Sequence, residues 1–315
     1  MLIYASMKST QITILILLFL SLYIQVPVLA IGNPDIEILS FETAPSAVSG
    51  GKLYVEYTVT NSGNFTSGPL KLTYYLSREN TLSSKKIMVR EVRIKFLLPG
   101  ETRTAYESIS IPSSVQPGTF YPIIEIIPAQ SALKDSNQEN NLLIAAQIEI
   151  TSQNTLSREW INKKASELLF LKTNEERELR NRAPLTYNRV LAATAQGHAN
   201  DMAKHDYFDH VSLDGKTPHD RAVDQGYPYE RTRKNGIIYG IGENIVRFPT
   251  GNKMYVKRFG YIDPTDPIQL ANAALISFME SASHRKTLLD DIYTEIGVAA
   301  AMGQDGYYYL AQNFG

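Results

Sequence analysis

The hydrophobic period of this chain changes once, near residue 155, and no other feature constrains the fold as strongly. Before that point apolar and polar residues alternate in short runs, at 53–60, 70–76, 89–98, 105–111 and 120–127. The runs are rich in β-branched and aromatic residues and are separated by turn formers such as Asn61-Ser62-Gly63-Asn64, Pro99-Gly100 and Pro117-Gly118. Period-two runs of this kind fit half-buried strands, and several in succession fit an antiparallel sandwich. Beyond the change, Ile161, Ala165, Leu168 and Leu169 recur at helical spacing until Pro184 breaks the pattern. A second helix starts near Asn188 and carries Leu191, Ala195, Ala199 and Met202. Two strands close the chain, at 296–301 and 307–314, joined through Gly303-Gln304-Asp305-Gly306. The expectation is an all-β sandwich over 31–150, a linker over 151–156, and an α+β domain over 157–315 with helices packed on a small antiparallel sheet.

The N-terminus bears on compartment. Lys8, an apolar run over 12–22 and then Val28-Leu29-Ala30 fit a secretory signal peptide, 1–30, cut after Ala30. The rival is an uncleaved anchor, but Gln25 and Pro27 interrupt the run, and no later segment is apolar enough to span a bilayer. The chain has no cysteine, which excludes disulfides and thiol nucleophiles. A net charge of −1 leaves no basic surplus for nucleic acid.

Three of the five histidines fall between His205 and His219. His205 ends the second helix, where the dipole accounts for it. His219 follows Thr217-Pro218 and reads as an exposed residue in the first turn of a new helix. His198, on the apolar face of the second helix, reads as a packing residue. His210 stands apart: it follows Tyr207-Phe208-Asp209 in a loop, where aromatic anchors can hold a side chain inward. Two other segments carry suitable chemistry. Ile241-Gly242-Glu243-Asn244-Ile245 sets an acid among apolar residues, where burial demands a partner. Ser281 precedes a short helix running to Leu289 as its cap, and His284 in that helix's first turn is held neutral by the dipole.

The first half resembles the CARDB family of immunoglobulin-like modules. The matching motifs are V-T-N-S-G (59–63), Y-Y-L-S (74–77), L-P-G-E-T (98–102), P-G-T-F-Y (117–121) and D-S-N-Q-E-N-N (135–141). That resemblance implies a spacer or adhesion module. In its last motif Asp135 and Glu139 read as a capping turn rather than a calcium site. The second half resembles the CAP superfamily of cysteine-rich secretory and pathogenesis-related proteins, in its cysteine-free prokaryotic branch. The motifs are N-E-E-R (174–177), A-P-L-T-Y-N (183–188), H-A-N-D-M-A (198–203), Y-F-D-H (207–210), D-G-K-T-P-H-D-R (214–221), G-E-N-I (242–245), S-A-S-H-R (281–285), Y-T-E-I-G-V (293–298) and Y-L-A-Q-N-F-G (309–315).

This second resemblance implies an α-β-α sandwich with a cleft in which His210, Glu243 and His284 meet, the two histidines holding a divalent metal such as zinc. Asn244, Ser281 and Arg285 are expected as supporting residues. Three departures stand out: Ser281 replaces a second acid, Phe278 replaces a tryptophan, and 247–270 is an aromatic insertion readable as a lid or a surface loop. The expected function is a secreted or cell-surface binding protein whose cleft takes an envelope, lipid or peptide ligand. One alternative is a metal-assisted hydrolase with Glu243 as base. Another is a buried hydrogen-bonded network of structural value alone.

Overall fold

The computed structural model describes residues 32–82, 85–129, 134–153, 156–233, 236–250, 254–256, 260–263 and 265–315. The expected signal peptide and part of the 247–270 insertion lie outside them. Among the described residues no helix is long and apolar enough to cross a membrane.

The first half folds into strands β1 (Ile36–Thr43), β2 (Ser46–Val48), β3 (Lys52–Asn61), β4 (Leu70–Ser77), β5 (Ile87–Ile94), β6 (Thr102–Ser110), β7 (Gly118–Pro128), β8 (Leu142–Ile144) and β9 (Ile148–Thr151). One sheet has the order β1-β3-β6 and the other β2-β9-β7-β4-β5, with β8 also on β7. The inward residues of both sheets, among them Ile38, Val59, Leu72 and Ile124, form one core. This is the sandwich that the alternation dictates. β5 ends at Ile94, short of the expected 98, and the chain then peels off, leaving Leu98 exposed.

The motif around Asn61 has a local cause. Its buried Oδ1 accepts from Asp35 N (3.1 Å) and Gly63 N (3.2 Å), and its Nδ2 donates to Phe65 O (2.7 Å) and Leu97 O (3.0 Å). One amide thus satisfies four backbone groups that no ladder reaches. Asp135 is likewise committed to a turn, accepting from Ile36 N (3.2 Å), Asn137 N (3.3 Å) and Asn141 Nδ2 (2.9 Å).

The second half runs α1 (Arg158–Glu178), β10 (Thr186–Tyr187), α2 (Arg189–His205), α3 (Pro218–Asp224), β11 (Glu230–Arg233), β12 (Gly236–Tyr239), β13 (Gly242–Pro249), β14 (Met254–Val256), β15 (Gly260–Ile262), α4 (Pro267–Glu280), α5 (Ala282–Leu289), β16 (Glu295–Met302) and β17 (Tyr307–Phe314). Its main sheet has the order β10-β16-β17-β13. Alternate side chains of β16 sort the layers. Val298 and Ala300 pack with α1 and α4, while Ala299 and Ala301 pack with α2. The result is an α-β-α sandwich.

The caps are largely those the sequence specifies. Asn188 accepts from Val190 N and Leu191 N, and Thr217 with Asp220 forms a capping box on α3. Ser281 sits at the N-cap position of α5 but makes no capping bond; its Oγ lies 3.1 Å from Ser283 Oγ instead. The 247–270 insertion forms the β14–β15 hairpin, which buries Val256 and Ile262 against α4 and the core. It grows from the Pro249 end of β13, six residues and so about 20 Å from Glu243. The described residues of the insertion fit the surface-loop reading.

The two halves touch through specific groups. Asp266 caps α4 through Ile268 N (3.0 Å) and also takes Lys52 Nζ (3.4 Å) and Ser108 Oγ (3.2 Å) from the sandwich. Trp160 of α1 packs on Tyr54, ring centroids 5.9 Å apart, and Lys164 reaches Glu56 at 3.2 Å.

Candidate functional site

Glu243 enters β13 opposite Asn313 of β17. At residue 242 glycine leaves room for its neighbours: a Cβ there would fall 2.6 Å from Tyr293 Oη and 2.8 Å from Thr287 Cγ2, and those side chains would have to shift. The Glu243 side chain is buried to 1% exposure. A carboxylate so placed needs donors, and several elements supply them. His210 Nδ1 donates to Oε1 at 2.9 Å, and His198 Nε2 stands 3.8 Å from the same oxygen. Arg221 Nη2 donates to Oε2 at 2.7 Å. The Asn313 amide, oriented by its partners, donates to Oε2 at 3.1 Å.

Arg221 also shapes the loop that carries His210. Its Nη1 donates to His210 O (2.9 Å), Ser212 Oγ (2.9 Å) and Lys216 O (3.0 Å). His198, fully buried on α2, donates through Nε2 to Asp209 O at 2.9 Å. Burial lowers its pKa, partly offset by the Glu243 charge, so the ring stays neutral. His210 is therefore fixed from below while its side chain remains 47% exposed.

His284 lies in the first turn of α5 with its ring edge-on to Phe278, centroids 5.4 Å apart. Asn244 Nδ2 donates to His284 O at 3.1 Å and to Gln312 Oε1 at 3.3 Å, and Gln312 Nε2 reaches Thr173 at 2.7 Å. Asn244 thus supports His284 through the backbone. Burial lowers the His284 pKa, and the nearby His210 lowers it further by like-charge repulsion. Of the three expected site residues, His210 and Glu243 are in direct contact, and His284 is near enough to His210 to feel its charge.

Two supporting residues do not join them. Arg285 is exposed and donates to Met279 O at 2.7 Å, tying α5 to the end of α4, and Ser281 engages Ser283. His219 is half-buried rather than exposed, its ring 4.9 Å from Tyr229. Sequence reasoning missed His198, Arg221 and Asn313. The available signal was Glu243 itself: a buried acid requires a cation, and Arg221 stood unassigned in a quoted motif.

A divalent cation would find one nitrogen of His210 already committed and the other open. With Nδ1 of His210 directed at Glu243, Nε2 is left to bind a metal, in the arrangement by which a carboxylate orients a histidine ligand. His284 would be the second nitrogen, and two protein ligands leave the other positions open. No cluster of three or more acid or histidine side chains suited to one ion occurs among the described residues. Both Glu243 oxygens are engaged by donors, so this carboxylate holds His210 and Arg221 in place.

The comparisons agree with this division of the chain. The sequence model of CAP, the cysteine-rich secretory protein family, matches residues 170–314, and that of CARDB matches 33–145. Among curated proteins the chain is 30% identical over 142 residues to the uncharacterized membrane protein YlbC of Bacillus subtilis, covering 45% of this chain and 32% of that one. It is 26% identical over 173 residues to the uncharacterized protein YkwD of the same organism, covering 54% and 56%. The chain thus spans about a third and just over half of these relatives' lengths. Among solved structures, an extracellular protein containing a SCP domain from Bacillus anthracis is 16% identical, with 86% of this chain and 87% of that one covered and a TM-score of 0.40. The CARDB domain of a Pyrococcus furiosus protein in complex with di-metal ions is 14% identical, with 38% and 90% covered and a TM-score of 0.29. The protein therefore joins a CARDB domain, matched over 33–145, to a domain of the cysteine-rich secretory protein family, matched over 170–314.

Proposed function

We propose that this is an exported binding protein whose cleft captures a ligand beside a divalent metal held by His210 and His284, and that the CARDB domain acts as its spacer or adhesion module. The observation that carries the reading is the state of Glu243. It is 1% exposed and bonded to His210 and Arg221, so it is shut off from solvent and placed to orient an imidazole rather than to activate water. That favours binding over hydrolysis. Export is supported by the positive, apolar and small-residue succession of the first 30 residues. The ligand classes compatible with this compartment are envelope material, lipid or peptide.

Titration calorimetry with zinc on the full chain tests the reading. One site is expected in the wild type and none in His210→Ala or His284→Ala, with a cooperative melting transition retained by both variants. Wild-type protein that takes up no zinc, or variants that bind as wild type does, would overturn it.

A further inference from the structure

Where the CARDB domain meets α1, three carboxylates stand against two ammonium groups. Glu42 of β1 is the register partner of Glu56 on β3, and like charges directly opposite each other repel. Lys164 compensates Glu56 at 3.2 Å, but the same ammonium also holds Glu167 at 2.8 Å. Lys163 lies 4.0 Å from Glu167 and is 75% exposed. Glu42 is exposed and forms no ion pair among the described residues. One negative charge is thus left over, beside another of the same sign.

Glu42 and Glu56 line a pocket of about 160 Å³ between the two domains, several times the ~30 Å³ that one water takes up. The rest of its lining is largely apolar. Tyr54 and Tyr106 come from the CARDB domain, Trp160 and Leu168 from α1, and Pro267 and Ile268 from α4. Tyr54 and Glu56, two residues apart, share the face of β3 that is turned to α1, where they meet Trp160 and Lys164. The Tyr54 and Trp160 rings lie 5.9 Å apart with their planes at 37°, so they are tilted rather than stacked. Trp160 and Tyr106 are only half-buried, which leaves part of each ring open to solvent.

We propose that this pocket binds a substituted ammonium ion of the choline type, with its methyl groups against Trp160, Tyr54 and Tyr106 and its charge compensated by Glu42. A hydrated metal ion gains nothing from apolar walls, and a neutral molecule leaves the excess negative charge as it is. An alkylated cation answers both features. Aromatic rings attract it through their negative faces, its methyl groups remove apolar surface from water, and its charge relieves the repulsion between Glu42 and Glu56. An anion would have only Lys163 to hold it, since Lys164 already lies between two carboxylates. Both domains supply walls, so the site is complete only while they are docked. None of its residues belongs to the histidine cleft, and the inference is independent of the metal reading.

Trp160 is the chain's single tryptophan, so its emission reports on this pocket alone. The test titrates the full chain with choline chloride, against sodium chloride at matched ionic strength, and reads Trp160 emission and calorimetric heat in parallel. Saturable binding in the millimolar range is expected for choline and for tetramethylammonium. Binding about tenfold weaker is expected for the uncharged isostere in which a tert-butyl group replaces trimethylammonium. Glu42→Gln is expected to weaken choline binding about tenfold with a melting temperature no lower than wild type, because the repulsion with Glu56 goes with the charge. Trp160→Leu, read by calorimetry, is expected to weaken it as well, and His210→Ala to bind as wild type does. Co-sedimentation with phosphatidylcholine vesicles but not with phosphatidylglycerol vesicles, competed by choline, would identify the cation as a lipid head group; binding of choline without co-sedimentation would identify it as a free solute. No saturable binding by either readout, equal affinity for the uncharged isostere, or unchanged affinity in Glu42→Gln overturns the proposal.

Discussion

Removing the Arg221 guanidinium should expose how strongly the second domain depends on one buried ion pair. Arg221 is 11% exposed and Glu243 1%, with 2.7 Å between Nη2 and Oε2. Breaking one partner of such a pair costs about 3–5 kcal/mol, because the other charge stays buried without compensation. For a domain of this size, 1 kcal/mol corresponds to roughly 2–4 °C, so Arg221→Met should lower the melting transition of the second domain by about 6–20 °C. A double-mutant cycle with Glu243→Gln separates the pair from its surroundings. The bonds from Arg221 to the His210 loop are lost in the single and the double variant alike, as are those from Glu243 to His210, and both cancel. The double variant should be more stable than the sum of single effects requires, by at least about 1.5 kcal/mol. Calorimetry of the four proteins gives the answer. Effects additive to within about 0.5 kcal/mol would refute the idea that Arg221 is the charge partner that makes the burial of Glu243 tolerable.

Three further outcomes follow from the packing and titration. Gly297→Ala should cost about 1–3 kcal/mol or more, since the new Cβ would lie 2.0 Å from Ala192 N and 2.1 Å from Leu191 C, both backbone atoms of α2; wild-type resistance to urea would contradict the close seating of α2 on β16. Asp266→Ala should remove the α4 cap, at about 0.5–2 kcal/mol, and free Lys52 and Ser108, so the calorimetric transitions of the two domains should separate further; an unchanged thermogram would show the contact to be inert. Burial holds His198 below the ordinary histidine range, so it is neutral in the fold. Its stability contribution is complete above about pH 6.5 and declines as pH falls towards its lowered folded value, because the unfolded chain takes up the proton first. His284 has the same sign, so His198→Gln should reduce, not abolish, the loss of stability between pH 6.5 and 5; an identical slope in urea midpoints would sink the assignment.

Elements were legible wherever a local signal was sufficient. The alternation of 53–60 and 70–76 became β3 and β4, the spacing of Leu191, Ala195, Ala199 and Met202 became α2, and Asn188 and Thr217 cap as their side-chain chemistry requires. Ser281 shows the limit of such signals: the residue type and position suit a cap, yet its hydroxyl bonds to Ser283. The insertion was illegible for another reason. Nothing local says whether an aromatic hairpin folds over a cleft or, as here, against α4 at the far end of β13.

The sequence by itself determined two domains, their classes, and His210, Glu243 and His284 as candidate site residues, because periodicity, turn formers and family motifs are written in consecutive residues. Only the tertiary structure decided what Glu243 does. Its partners come from α2, α3, the His210 loop and β17, at positions 198, 221, 210 and 313. Their meeting depends on the β13–β17 register, which sets Asn313 opposite Glu243. Hydrogen bonding and desolvation are set by distances in space, and separation along the chain carries no record of them.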